Sequence, residues 1–229
     1  MTTLLLASNN QHKRSEFEGI LAEYRPDLRL VQPRDLDFSF DVVEDGDSFA
    51  ANALRKAYGL AALLRGTALP GVSCSLDPAS LWLRLGDLAA QPLMVIADDS
   101  GICVDALDGR PGIHSARYGQ QEDQPRLTDT ERNRRLLHEL GDRRDRGAHY
   151  VCNICIVLDH ERYVQVEETW HGTILEREEP GETGFGYDPI VWLPEHDCSV
   201  AQLSQQQKDR ISHRAKATRR ALAAALTHP

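Results

Sequence analysis

The sequence predicts an α/β fold organised around a mixed β-sheet. Three observations carry this prediction. Apolar strand runs alternate with amphipathic helices through the N-terminal half. Two long apolar runs, at about 148–158 and 162–170, lie close enough to form an antiparallel hairpin. A helix over about 212–226 closes the chain. Elements in that order place helices against a sheet. The 229 residues suit one large domain, or two lobes sharing a core.

The elements follow in chain order. Leu4-Leu5-Leu6-Ala7 reads as a short buried strand. Ser8-Asn9-Asn10-Gln11 turns the chain, and Phe17, Ile20 and Leu21 recur at helical spacing over Lys13 to Tyr24. A second helix spans Ser48 to Arg65, with Phe49, Ala53, Leu54, Ala57, Leu60, Ala61 and Leu64 as its apolar stripe. Asn52 and Lys56, four residues apart, share one face of it. Residues 66–92 break the pattern with prolines and glycines and read as an insertion or flap. Within it, Leu81 to Leu85 suits either a short strand or a helical turn. Val95-Ile96-Ala97 reads as a strand ending at the turn Asp98-Asp99-Ser100-Gly101. Side chains alternate along a strand, so Asp98 and Asp99 should face opposite sides. Thr128 and Glu131 form a capping box for a helix that runs to Leu140 and stops at Gly141. Gly181 to Pro189 is a glycine-rich loop. No internal repeat or low-complexity tract interrupts the pattern.

Composition narrows the function classes. The chain is 41% hydrophobic and 27% charged, ordinary for a soluble globular protein. Its formal net charge of −9 argues against a broad nucleic-acid surface, which needs clustered lysine and arginine. It does not argue against a small phosphorylated substrate held in a local cationic pocket. No apolar run approaches the roughly 18 residues of a membrane span, and the N-terminus lacks a signal-peptide pattern. A cytoplasmic protein is expected. The five cysteines, Cys74, Cys103, Cys152, Cys155 and Cys198, are scattered and odd in number, which does not suggest a disulfide framework. Cys152 and Cys155 have metal-ligand spacing. They lie in a strand run, however, where residues three apart face opposite sides, so they read as core cysteines.

Four constellations can carry chemistry. Ser8-Asn9-Asn10-Gln11-His12-Lys13 places small polar residues and a lysine at a helix N-terminus, which suits phosphate binding as well as an ordinary capped loop. A carboxylate at Asp98 or Asp99, with Glu44, Asp45 and Asp47 upstream, offers the hard oxygen ligands of magnesium; the alternative is a solvated acidic loop. Gly184-Phe185-Gly186-Tyr187-Asp188-Pro189 brings aromatics between glycines, a platform for a flat ligand or a turn with core aromatics. Lys208, Ser212, His213, Arg214 and Lys216 mark a basic helix start, able to aim donors at a phosphate or carbonyl. Together they describe a nucleotide bound with magnesium.

These residues resemble the inosine triphosphate pyrophosphatases, enzymes that remove non-standard purine nucleoside triphosphates. The matching segments are Ser8–Lys13, Phe49–Ala57, Ile96–Gly101, Pro111–Tyr118, Gly184–Pro189 and Ile211–Arg214, in family order from residue 4 to about 226. The resemblance implies an elongated two-lobed fold around a central mixed β-sheet flanked by helices. It implies hydrolysis of ITP, dITP or XTP to the monophosphate and pyrophosphate with Mg2+, in a homodimer. By the same resemblance Asp99 is a metal ligand and the base that activates water, with Asp98 beside it and Glu44 as second metal ligand. Ser8, Asn9, Asn10, Gln11, His12 and Lys13 form the triphosphate loop, and Lys56 is a second phosphate contact. Ser100 touches substrate, and Phe185, Gly186, Tyr187 and Asp188 form the base platform. Lys208, His213 and Arg214 complete the base and phosphate pocket. This chain departs from the pattern at Asn9, where the family's loop carries a glycine, and at Val43, where it carries a glutamate. Residues 70–92 are longer than the family's link. Two other functions stay open. One is a related pyrophosphatase acting on modified pyrimidine or standard triphosphates. The other is a silent nucleotide-binding module, which the presence of Lys13, Lys56 and Asp99 argues against.

Overall fold

The computed structural model describes residues 2–67, 69–86, 88, 92–121, 124–159 and 161–227. Its main sheet has seven strands: β1 (Thr2–Leu6), β2 (Leu28–Val31), β5 (Leu93–Val104), β6 (Gly147–Val157), β7 (Tyr163–Ile174), β8 (Val191–Leu193) and β9 (Cys198–Ser199). Their order is β2-β1-β5-β6-β7-β8-β9. β1 pairs in parallel with both β2 and β5, whereas β7, β8 and β9 pair antiparallel, so the sheet is mixed as expected. The chain divides into two compact units, neither of them continuous in sequence.

The first unit holds residues 1–99, 153–167 and 214–229. Leu4, Leu5 and Leu6 of β1 are all fully buried, which requires both faces of that strand to be covered. Helix α1 (Gln11–Tyr24) starts two residues before Lys13 because the Asn10 side chain accepts from the His12 and Lys13 amides at 2.9 and 3.2 Å. Helix α2 (Phe49–Leu64) is capped by Ser48, and its Ala53, Ala57 and Leu60 pack with Leu5, Phe40, Val95 and Ala97. A second sheet pairs β3 (Phe40–Val42) antiparallel with β4 (Val72–Cys74). Part of the expected insertion is therefore sheet. Leu81–Leu85 lies in helix α3 (Pro78–Leu85), not in a strand: Asp77 caps it, Pro78 opens it, and Leu81 and Leu85 bury one face. Residues 87 and 89–91 lie outside the described residues.

The second unit holds residues 100–152 and 168–213. Helix α4 (Asp129–Leu140) has the expected capping box, Thr128 with Glu131, and ends at Gly141 with a φ of +52°. Leu136 and Leu140 from α4 pack with Ile102, Val104, Tyr150 and Ile190. Helix α5 (Gln205–Ile211) ends at Ser212, and helix α6 (His213–Thr227) begins directly after it. β6 and β7 are adjacent in the sheet and joined by only residues 158–162, too few for a parallel crossover. They form the expected hairpin. Cys152 and Cys155 on β6 are fully buried, and burial pushes the Cys155 thiol up to about 12. No disulfide joins any of the five cysteines.

One expectation is corrected. Asp98-Asp99-Ser100-Gly101 is not a turn that ends a strand; β5 continues through it to Val104. Ser-Gly reads locally as a breaker, but the glycine serves a close approach. A Cβ on Gly101 would lie 2.4 Å from both the Gly112 carbonyl oxygen and Ser115 Oγ. Ser115 Oγ in turn accepts from the Ile102 amide at 2.9 Å, fastening the strand beyond the aspartates. Gly101→Ala should therefore destabilise the protein by about 1–3 kcal/mol, read as a lower denaturant midpoint at unchanged slope.

Candidate active site

In the first unit, β5 hands its two aspartates to different partners. Asp98 is 1% exposed. Its Oδ2 accepts from Lys13 Nζ at 2.9 Å and from Arg214 Nη2 and Nε at 2.9 and 3.2 Å. Arg214 Nη1 also donates to Glu16 Oε2. Burial works to raise the Asp98 carboxyl, but Lys13 and Arg214 outweigh it and hold the group far below the usual carboxylate range. The Arg214 guanidinium is thus turned inward onto two carboxylates. It braces Asp98, which in turn positions Lys13.

Asp99 faces α2. Its Oδ1 accepts from Lys56 Nζ at 2.8 Å and its Oδ2 from Asn52 Nδ2 at 3.2 Å. Lys56 Nζ also donates to Glu44 Oε2 at 3.0 Å. Asn52 Oδ1 accepts from the Gly46 amide at 2.9 Å, which ties the acidic loop to the same helix face. A Cβ on Gly46 would lie 2.7 Å from Asn52 Oδ1, so the loop needs glycine there. Val43 is 56% exposed while Glu44 turns inward, so Glu44 is the carboxylate that joins Asp99 and Lys56. Burial raises the Asp99 carboxyl against the pull of Lys56 and Lys13, and the neighbouring Glu44 adds to the rise. For Glu44, burial is outweighed by Lys56, and the group lies below its usual range. Burial would also discharge Lys56, but Asp99 and Glu44 outweigh it and keep the ammonium charged.

Between β1 and α1, the polar loop is open to solvent at Asn9, Asn10, Gln11 and His12. Asn9 does not need the left-handed backbone that glycine would permit: the non-glycine residues found there are Asp37, Asp108 and Asp197. Asn9 instead donates from Nδ2 to the Phe40 carbonyl at 2.7 Å. The Asn10 amide donates to Ser8 Oγ at 3.2 Å. Buried Gln32 donates to the Ser8 carbonyl at 2.9 Å and accepts from Gln11 Nε2 at 3.0 Å. Ser100 is half-buried on β5.

The second unit holds the aromatic loop. Asp188 is buried, with Oδ1 accepting from the Tyr150 hydroxyl at 3.0 Å and Oδ2 from Lys208 Nζ at 2.7 Å and the Phe185 amide at 2.8 Å. Lys208 Nζ also sits 4.6 Å over the Phe185 ring. His213 stacks on Tyr150 with centroids 4.8 Å apart. Tyr187 is a core anchor whose hydroxyl donates to the Ser115 carbonyl at 2.9 Å, and Gly184 and Gly186 take the positive φ values of +98° and +63° that the tight loop requires.

Three contributors escaped the sequence reading. Glu16 lies one helical turn after Lys13, and a glutamate beside Phe17 in the apolar stripe was a usable sign that it pairs inside the protein. Gln32 and Tyr150 carried no comparable sign, because their partners are distant in sequence.

As to a metal, Glu44 and Asp99 form an oxygen-only pair around Lys56. Magnesium is commonly held by one or two carboxylates together with waters and substrate phosphates, so this donor set fits it. Among the described residues no group of three or more His, Cys, Asp or Glu is placed to hold an ion by itself.

A family model described as the Ham1 family matches residues 4–224. A dITP/XTP pyrophosphatase of Treponema denticola is 36% identical over 214 residues, covering 93% of each chain. One of Acinetobacter baylyi is 36% identical over 224 residues, covering 95% of this chain and 91% of that one. Among solved structures, the Ham1 protein of Staphylococcus aureus matches with a TM-score of 0.72 at 33% identity, over 99% of this chain and 100% of that one. A nucleoside-triphosphatase / dITP/XTP pyrophosphatase of Mycobacterium abscessus matches with a TM-score of 0.59 at 30% identity, over 99% of each.

Proposed function

The chain belongs to the Ham1 family, and from that premise we propose that it hydrolyses ITP, dITP and XTP at the α–β phosphoanhydride bond, releasing the nucleoside monophosphate and pyrophosphate. The observation that carries this reading is the buried Asp99, held by Lys56 and Asn52 with Glu44 beside it. The buried Asp99 carboxylate, oriented by Lys56 and Asn52, accepts a proton from the attacking water. Lys13, oriented by Asp98, and Lys56 supply positive charge against the polyphosphate. The solvent-open stretch Asn9 to His12, with Ser8 before it, offers side chains and the start of α1 to the phosphates. Glu44 and Asp99 would hold Mg2+, which supplies further charge neutralisation at the phosphates.

The base roles fall to Phe185, as a stacking face under Lys208, to Gly186 and Asp188 in the same loop, and to His213, stacked on Tyr150. Donors matched to a 6-oxo group leave a buried polar group unpaired when adenine's amino group replaces it, and such mismatches are strongly rejected. The working form in this reading is a cytoplasmic homodimer. Among the described residues no helix is long and apolar enough to cross a membrane.

Pyrophosphate release from ITP, dITP and XTP should exceed that from ATP and GTP by on the order of 10²-fold in kcat/KM, and should require magnesium. Faster turnover of dTTP or UTP than of ITP, dITP and XTP would instead assign the chain to the related pyrophosphatases of other triphosphates.

A further inference from the structure

Gly186 separates the Phe185 ring from Asp188 in the aromatic loop, and its backbone lies in the left-handed region with a φ of +63°. Nothing lies within 4 Å of the position a Cβ would take there, so side-chain packing does not fix this residue. A glycine is the most conformationally free residue in a chain. The turn's own bond from the Asp188 amide to the Phe185 carbonyl, at 3.2 Å, spans this residue, and two hydrogen bonds from α4 add the restraint on its own peptides. Asp129 Oδ2 accepts from the Gly186 amide at 2.6 Å, and Asn133 Nδ2 donates to the Gly186 carbonyl at 3.0 Å. The peptide groups on both sides of Gly186 are thereby held by one helix face, since residues four apart are neighbours on a helix.

The clamp is itself braced. The Thr128–Glu131 capping box fixes the first turn of α4, and Arg132 donates to Asp129 Oδ1. Asn133 Nδ2 also donates to Glu178 Oε1 at 2.8 Å, so its amide nitrogen faces two acceptors and its orientation is determined. Downstream, the Phe185 amide and Lys208 both converge on Asp188 Oδ2. Rotation of the Gly186 peptides would strain those contacts and shift the stacking ring against the carboxylate.

We infer that Asp129 and Asn133 are positioning residues which, by clamping the Gly186 peptides, fix the Phe185–Asp188 loop in its base-reading form and so set the preference among purines. This inference rests on the reading of that loop as the base platform.

The test measures kcat and KM for ITP and GTP, at saturating magnesium, in Asn133→Ala, Asp129→Ala, Asp129→Asn and Phe185→Ala. A small displacement of a substrate-orienting group costs up to about 10²-fold. Asn133→Ala and Asp129→Ala should each raise KM for ITP about tenfold and lower the ITP-to-GTP ratio of kcat/KM by a similar factor, with kcat little changed. Asp129→Asn should restore both, because its amide oxygen still accepts from the Gly186 amide. A merely structural role would lower the melting temperature and leave the ratio alone. The Asp129 side chain is 45% exposed, so Asp129→Ala keeps the test open if Asn133→Ala fails to fold. Unchanged KM and ratio in the folded alanine variants, with Phe185→Ala impaired, overturn the clamp alone. Unchanged selectivity in Phe185→Ala removes the base platform, and the clamp with it.

Discussion

Asp99→Asn is expected to lower pyrophosphate release from ITP by roughly 10³-fold, within the 10²–10⁴-fold range of a positioned general base. Asparagine keeps the shape of the side chain, its one carbonyl oxygen can accept from Lys56, and Glu44 still compensates the ammonium, so the fold should survive and most of the loss should fall on catalysis. A melting temperature near that of the wild type, beside the lost rate, separates chemistry from stability. The wild type should also show an acid limb in its rate profile. Asp99 must be ionised to accept a proton, and burial raises its carboxyl above the ordinary value. Activity should therefore fall once pH drops far enough to protonate Asp99. Hydrolysis by Asp99→Asn within about tenfold of the wild-type rate would remove Asp99 from the base role.

Much of this arrangement was legible because its signals are local. The Leu4–Leu6 run and the Thr128–Glu131 box need only a few neighbouring residues to be read. Strand alternation was enough to separate the tasks of Asp98 and Asp99, and helical spacing was enough to put Asn52 and Lys56 on one face. The family resemblance drawn from six motifs agrees with the relatives' names. The misreadings lie where a distant contact decides the conformation. Ser100-Gly101 looks like a turn, but the approach of Gly112 and Ser115 keeps it in a strand. Residues 72–74 look like part of a flap until their partners at 40–42 are known. Arg214 looks like an exposed donor at a helix start, yet Asp98 and Glu16 draw its guanidinium inside. A charged residue whose partners lie about a hundred positions away or more gives no local sign that it will be buried.

Those partners make Asp98→Asn the substitution with the largest expected effect on stability. The wild-type carboxylate is the shared counter-ion of Lys13 and Arg214, so its charge compensates two cations inside the protein. Lys13 and Arg214 converge on one oxygen, Oδ2, and the neutral amide puts a weaker, uncharged acceptor there. Glu16 still compensates Arg214 in part, but Lys13 loses its buried carboxylate partner. Removing one member of a buried ion pair costs about 3–5 kcal/mol. In a chain of this size that corresponds to a fall in melting temperature of about 6–20 °C. The acid dependence follows from the same geometry. The folded-state carboxyl of Asp98 is depressed, while an unfolded aspartate titrates near 3.9. Its contribution is therefore fully present above about pH 4 and is lost as pH falls below that toward the folded value. The stability gap between wild type and Asp98→Asn should be widest near neutral pH and narrow progressively below about pH 4. Paired denaturant titrations at pH 7 and pH 3 measure it. A gap that stays constant between those two conditions would mean that the ionised carboxylate is not what holds Lys13 and Arg214 in place.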